Sequence, residues 1–360
     1  MTIASWTDSP ALLAYTRTGF EADAAAEFND RAAAAALPGY CRARTGTGLV
    51  EFRRHDGGPV TGLFEAIDFT TLVFPRQWLA GPGWLAELPP QDRLQPLLAA
   101  LPTDTAYAEV WLEYPDTNEG KALSRFCRGF GNAVRDALRQ AGRLEPHSPN
   151  RLHLLFTDSS TVFPGITPVT NSSAWHLGIP RLRLSRDAPS RSALKLEEAL
   201  VTLLTPQERE ARLPAGATAV DLGAAPGGWT WQLVRRGMHV IAVDNGPMDP
   251  SLLHGDFVEH QRCDGFRFQP AETVDWLVCD MVEQPGRILP LVADWLTRRL
   301  CRQAVFNLKL PMKKRYKTVS DGLNRLNRAL AAGGIPATVR CKQLYHDREE
   351  VTVAVLPARR

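Results

Sequence analysis

A chain of 360 residues is too long for one ordinary core, so two or three domains are expected. Its composition, 44% hydrophobic and 22% charged, is that of a globular protein, and no apolar run reaches the roughly 18 residues a transmembrane helix needs. A net charge of +3 is too mild to establish a nucleic-acid partner, and the balance shifts from 17 basic and 19 acidic residues through position 185 to 25 and 20 beyond it, so any such surface must be local.

Residues 1–57 read as a small α/β unit: a strand-like ALLAYT (11–16), an Ala-rich helix after Gly19, and a strand GLVEF (48–52) before the break HDGGP (55–59). The start, MTIASWTDSP, lacks the basic and apolar stretches of a secretory signal, so none is expected. Residues 58–160 form a second α/β region. FTTLVFPRQWL (69–79) has β character edged by Pro75, DRLQPLLAAL (92–101) is helix-like, YAEVWLEYP (107–115) alternates as a half-buried strand, a helix runs from about 119 to 142, and LHLLFTD (152–158) is a strand. Residues 161–185, rich in Ser, Thr, Pro and Gly, read as a linker. From 186 to 360 strands and helices alternate: TAVDLG (218–223), HVIAVD (239–244), VDWLVCD (274–280) and AVFNLKL (304–310) are separated by helices near 228–236, 286–301 and 318–332. That is the signature of a doubly wound sheet, and TVRCKQLY (338–345) and EVTVAVL (350–356), joined by a short turn, close it as an antiparallel hairpin. The six scattered cysteines contain no Cys-x-x-Cys pair, which argues against zinc and against a disulfide framework; no metal and a reducing cytoplasm are expected.

The segment AVDLGAAPGGWTWQL (219–233) runs from an apolar strand through Gly223, Ala225, Pro226, Gly227 and Gly228 into a helix. Glycines there let a ligand approach the backbone, and Asp244, 21 residues beyond Gly223, is placed for ribose hydroxyls. The dinucleotide fingerprint fails, since Ala225 stands where its second glycine belongs, so the turn suits S-adenosylmethionine better than NAD. Asp221, Asp244, Asp264 and Asp280 all fall near strand C-terminal ends, the edge where open α/β sheets hold ligands.

Only seven of the 42 basic residues are lysines, and lysine can do what arginine cannot, namely lose its proton. Lys195 lies in a helix before the first strand, Asp280 and Lys309 end successive strands, and Glu350 opens the last. A ribose 2′-hydroxyl is a weak nucleophile that needs a base as a methyl group arrives. Two lysines held by two carboxylates suit that task, because burial and a second cation both favour a neutral amine. Two basic surfaces stand out: Lys121, Arg125, Arg128, Arg135 and Arg139 on the helix near 119–142, and Lys313, Lys314, Arg315 and Lys317 after Lys309. Arg181, Arg183, Arg186 and Arg191 lead into the Lys195 helix and form a further candidate.

DLGAAPGGWT, the SRSALKLEEA helix, CDM (279–281) and NLKLPMKKRY (307–316) resemble the FtsJ-type RNA 2′-O-ribose methyltransferases. Over the whole chain, with VDNGPM (243–248), MVEQP (281–285), LYHDREEVTV (344–353), RQWL (76–79) and DTNEGKAL (116–123), it is similar to the bacterial 23S rRNA cytidine 2′-O-methyltransferases of that superfamily. The resemblance implies a ferredoxin-like subdomain at 1–57, a THUMP RNA-binding domain at 58–160, a linker at 161–185 and a Rossmann-like methyltransferase domain at 186–360. It implies S-adenosylmethionine as cofactor and methylation of cytidine 2498 of 23S rRNA before subunit assembly, by a cytoplasmic monomer that meets no membrane. It puts a catalytic tetrad on Lys195, Asp280, Lys309 and Glu350, with Lys309 as proton acceptor and Glu349 adjoining the fourth position. It puts cofactor contacts on Ser192, Ala225, Pro226, Gly227, Gly228, Asp244, Asp264 and Asp280. Ala225 departs from the cysteine that relatives can carry there, a change between small residues. Two other classes stay open: a nicotinamide-dependent oxidoreductase, and a non-catalytic RNA-binding assembly factor on the same fold.

Overall fold

The computed structural model describes residues 5–358, so the outermost residues of the first and last expected domains, and part of the expected leaderless start, lie outside the described residues. The chain divides into two compact units between Pro180 and Arg181.

The first unit opens with β1 (Ala11–Tyr15), α1 (Glu21–Ala34), β2 (Gly39–Ala43), β3 (Leu49–Arg54), α2 (Gly62–Ala66) and β4 (Gln77–Gly81). It continues with α3 (Leu94–Ala100), β5 (Val110–Glu113), α4 (Asn118–Lys121), α5 (Ser124–Gln140), β6 (Asn150–Phe156) and β7 (Val162–Pro168). All seven strands share one sheet in the order β2-β3-β1-β4-β7-β6-β5, and β5–β6 is its parallel pair. The first four strands follow a β-α-β-β-α-β path with β1 flanked by β3 and β4, the ferredoxin-like order.

Four expectations change here. The ferredoxin-like order needs β4, so it runs past residue 57. The sequence around 69–79 splits, with Phe69–Thr71 a single 3-10 turn and pairing beginning only after Pro75, where Arg76 N–H donates to Tyr15 O (2.7 Å). The linker at 161–185 begins instead with β7, paired along its length with β6 and joined to β4 at Ala80↔Ile166. Its Pro and Gly read as loop composition, but the neighbours on both sides hold it extended. The long helix also breaks: α4 ends at Lys121 and α5 starts at Ser124.

The second unit contains α6 (Ala193–Leu203), α7 (Pro206–Arg212), β8 (Thr218–Leu222), α8 (Gly228–Val234), β9 (His239–Val243), β10 (Val258–Gln261), β11 (Val274–Cys279), α9 (Pro285–Thr297), β12 (Cys301–Lys309), α10 (Arg315–Ala332), β13 (Ala337–Lys342) and β14 (Glu350–Pro357). The strand order is β10-β9-β8-β11-β12-β14-β13, with β8 to β12 parallel and β14 antiparallel to both neighbours. The terminal hairpin therefore inserts its second strand into the sheet, and Glu350 opens an interior strand rather than an edge. One sheet face buries Ala219, Val240, Trp276, Val278, Val305 and Ala354 under Leu196, Leu200 and Leu203 of α6 and Trp229 and Leu233 of α8. Nearly continuous apolar strands are the cost-free choice when helices cover both faces. β10, with the polar sequence VEHQ at an edge, carries no such signal and escapes sequence reading.

Candidate active site

The chain reverses from β8 into α8 through Gly223 (φ +79°) and Gly227 (φ +115°), backbone conformations open to glycine at little cost. Packing demands glycine as well. A Cβ on Gly228 would lie 2.1 Å from Ser192 Oγ and 2.5 Å from Ser190 Oγ, so the turn presses against the segment entering α6. A Cβ on Gly223 would lie 2.8 Å from Met281 Cγ. Beside this turn a cavity of about 360 Å³ is lined by Gly223, Ala225, Asp244, Asp264, Phe266 and Asp280, among others. Asp244 is fixed by accepting from Ala225 N–H (3.0 Å) and Gly246 N–H (2.7 Å), and Asp264 accepts from Phe266 N–H (2.9 Å). Ser192, Pro226, Gly227 and Gly228 shape the turn and lie outside that lining.

Asp221 sits two residues before Gly223 and is fully buried. Its Oδ2 accepts from Thr230 Oγ1 (2.7 Å), while Oδ1 has no partner. Burial, reinforced by the nearby Asp280 and Asp244, pushes its carboxyl up to about 7 against the pull of the Thr230 hydrogen bond. A cavity beside a glycine turn, with the anchored carboxylates of Asp244 and Asp264 in its lining, fits a cationic nucleoside such as S-adenosylmethionine.

The structure brings Lys195, Asp280, Lys309 and Glu350 into one cluster. Lys309 and Glu350 are directly paired in the antiparallel register of β12 and β14, so they project from the same face. Asp280 follows β11, the other neighbour of β12, and Lys195 reaches in from the first turn of α6. Lys195 Nζ lies 3.3 Å from Asp280 Oδ2 and also binds Glu350 Oε1, while Lys309 Nζ binds Glu350 Oε2. One carboxylate thus bridges two amines. The Glu350 side chain is 3% exposed and that of Lys309 is 32% exposed, so the cluster opens to solvent at Lys309. Burial pulls the Lys195 ammonium down, but Asp280 and Glu350 outweigh it and hold Lys195 above the usual lysine value. Burial raises Glu350, and the two lysines reverse this and leave it below the usual range; Asp280 stays raised because burial exceeds the relief from Lys195. The neighbouring Glu349 is paired elsewhere, with Arg315 at 2.6 Å.

Supporting residues escaped the sequence reading. Glu198, one turn beyond Lys195, is buried and accepts from Tyr345 N–H (2.7 Å) and from His346 N–H (2.9 Å), with His346 Nδ1 at 2.6 Å, so α6 grips the turn that delivers Glu350. Asn307 donates to Asp280 Oδ1 (2.8 Å). The available signal was their place inside motifs already quoted, SRSALKLEEA and NLKLPMKKRY. Next to Lys309 a second cavity of about 650 Å³ is lined by Val282, Glu283, Leu289, Leu310, Pro311 and Arg325, among others.

The basic surfaces divide. Arg125, Arg128 and Arg139 are exposed on α5, whereas Arg135 donates to Val110 O and Asn132 Oδ1, and Arg143 is taken up by Thr105 O and Tyr107 Oη. Lys313 and Lys314 are exposed, while Arg315 holds Glu349 and Lys317 pairs with Asp321. Arg181, Arg183, Arg186 and Arg191 are exposed, Arg181 lying over the Tyr345 ring at 5.7 Å.

A seven-stranded sheet of this order, with a nucleoside-fitting turn and paired amines and carboxylates at one rim, defines a class: the methyltransferases that use S-adenosylmethionine. Comparison with known proteins narrows it. Residues 10–79 match the RlmM ferredoxin-like domain, 92–167 the Ribosomal RNA large subunit methyltransferase M N-terminal family, and 188–311 the FtsJ-like methyltransferase family. Ribosomal RNA large subunit methyltransferase M of Pseudomonas aeruginosa is 48% identical over 343 residues, covering 95% of this chain and 97% of its own length. The protein of the same name from Xylella fastidiosa is 49% identical over 346 residues, with the same coverage. The chain belongs to the ribosomal RNA large subunit methyltransferase M family, a family of S-adenosylmethionine-dependent rRNA methyltransferases, and the oxidoreductase reading is set aside. The ferredoxin-like match through residue 79 agrees with the four-strand path through β4. Among the described residues no helix is long and apolar enough to cross a membrane.

Proposed function

We propose that this chain methylates the ribose 2′-hydroxyl of a cytidine in 23S rRNA, at position 2498, before the large subunit assembles, as a cytoplasmic monomer. S-adenosylmethionine supplies an electrophilic methyl group carried on a sulfonium. The turn at Ala225–Gly228 with Ser192, Asp244, Asp264 and Asp280 holds it. Asp280 and Glu350 keep Lys195 as an ammonium, which leaves Lys309 to take the hydroxyl proton. Glu350 receives the charge that develops on Lys309, because its Oε2 already pairs with that amine. The cavity beside Lys309 is the place for the target nucleoside, and fixing the hydroxyl there turns a slow encounter into an oriented one. The first unit, with a THUMP-type portion beyond β4, positions RNA through Arg125, Arg128 and Arg139, and Lys313 and Lys314 hold its backbone near the base.

The observation that carries this reading is one buried carboxylate, Glu350, shared between two lysine amines at the ligand-bearing rim. The experiment is to map ribose methylation on 23S rRNA from cells lacking this gene. Rescue by the chain at cytidine 2498, and none by Lys309→Ala, is expected. Restoration by Lys309→Ala would instead favour the non-catalytic assembly factor.

A further inference from the structure

Behind Asp280 stand three buried polar residues in line. Asn307, Thr352 and Asp347 are each at most 1% exposed. Asn307 Nδ2 lies 2.8 Å from Asp280 Oδ1, Thr352 Oγ1 lies 2.7 Å from Asn307 Oδ1, and the Asp347 oxygens lie 3.0 and 3.3 Å from Thr352 Oγ1. Counting protons decides the direction of these bonds. Asp280 accepts from Lys195, so Asn307 must turn its NH₂ toward Asp280 and its carbonyl oxygen toward Thr352. A carbonyl oxygen only accepts, which commits the single hydroxyl proton of Thr352 to Asn307. The Thr352 oxygen can then only accept from Asp347. A charged Asp347 would leave acceptor facing acceptor in a site closed to water, which costs the full desolvation of both groups. Asp347 Oδ2, 3.0 Å from Thr352 Oγ1, is already taken by Leu344 N–H (3.1 Å), which leaves Oδ1, 3.3 Å from Thr352 Oγ1, as the oxygen to carry the proton in this reading. Burial, the Glu350 charge and the Glu198 charge favour the protonated form against the opposing pull of Leu344 N–H and Lys195.

We propose that Asp347 is a positioning residue: as a neutral carboxylic acid it heads a one-way chain of donors, Asp347 to Thr352 to Asn307 to Asp280, which fixes the Asp280 carboxylate on Lys195. The chain also ties the β13–β14 turn to the cluster, through Leu344 N–H at one end and Glu350 two residues before Thr352 on the same strand. The inference rests on the Lys-Asp-Lys-Glu reading given above.

The test uses the full chain, unmethylated 23S rRNA and labelled S-adenosylmethionine under single-turnover conditions. Thr352→Val keeps the shape and removes the hydroxyl; Asp347→Ala removes the acid. Each should slow methyl transfer about tenfold or more, the rate equivalent of one unpaired buried partner, with cofactor affinity changed less than about threefold. Thr352→Ser restores the hydroxyl and Asp347→Asn restores a donor without a charge, so both should recover the rate to within about threefold. A residue 347 needed as an anion would not give recovery with Asn, and a residue 352 needed only for packing would stay fully active as Val. Full activity of Thr352→Val, or Asp347→Asn as slow as Asp347→Ala, overturns the proposal. Should Asp347→Ala fail to fold, the Val and Ser pair at position 352 decides alone. Lys309→Ala measured alongside separates the two readings: inactive Lys309→Ala with fully active Thr352→Val removes the donor chain and keeps the tetrad, whereas fully active Lys309→Ala removes both.

Discussion

Two buried glutamates, one in each unit, keep different kinds of partner. Glu113 at the end of β5 is 2% exposed and closed on every side: Tyr15 Oη donates at 2.9 Å, His153 Nδ1 lies at 2.8 Å and Leu177 N–H donates at 2.6 Å. Glu350 at the start of β14 is equally buried, yet its partners are two amines, one of which faces solvent. A carboxylate whose oxygens are all taken by groups fixed inside a closed core holds a fold together. A carboxylate that holds two amines, one of them open to solvent, is placed where a proton could be passed at that open amine. Burial of a charge therefore says little about function until its partners are known.

The largest effect should come from the amine that opens this second network. Lys309→Ala should cut methyl transfer to rRNA about 10²–10⁴-fold, the usual reach of a general base, with unfolding midpoint and cofactor affinity near those of the parent. Transfer within tenfold of the parent would erase the distinction between the two glutamates. Next comes the closed network. Glu113→Ala strands the Tyr15 hydroxyl, His153 and the Leu177 amide, so it should destabilise the chain by roughly 3 kcal/mol in denaturant unfolding. The rate of the folded fraction should hardly change, and a specific loss of kcat at unchanged stability would show that the first unit reaches the chemistry.

A third effect concerns Asp221. Its carboxyl is raised from 3.8 to about 7, so the folded state binds this proton more tightly than the unfolded state. The sign follows: the group's contribution is complete below about 4 and is lost as pH rises toward 7, at up to about 1.4 kcal/mol per pH unit. Relative to Asp221→Asn, the parent should lose stability across that window on going to higher pH, measured by thermal unfolding at a series of pH values. A difference that stays flat would sink the assignment of Asp221 as a protonated acid. The smallest effect belongs to the surface. Reversing charge at Arg125 and Arg128 should raise KM for rRNA by about tenfold at low salt and less at high salt, leaving cofactor binding alone.

Much of the second unit was legible because its signals are local. An apolar strand that ends in Asp-Leu-Gly, a Pro-Gly-Gly turn and a helix is a contiguous pattern, and the sheet does place Gly223, Asp244, Asp264 and Asp280 around one cavity. The first unit was less legible. β2 and β7 lack an apolar run of their own, and β7 is extended because β6 and β4 pair with it, not because VFPGITP prefers it. The basic residues of α5 illustrate the same limit, since helical spacing cannot tell exposed Arg125 from Arg135, whose guanidinium is already bound within its own unit.

What the sequence determined by itself is which residues can stand at strand ends and which turns need glycine, since both follow from neighbours within a few positions. It also narrowed the candidate base to a handful of lysines. The tertiary structure alone decided that Glu350 and not Glu349 meets the amines. Successive residues of a strand point to opposite faces, so the choice depends on the register that pairs Glu350 with Lys309, and that register is set by a strand folded back between β12 and β13. The direction of the hydrogen bonds from Asp347 to Asp280 was likewise invisible before folding, because a proton's place is fixed only when every acceptor around it has been counted.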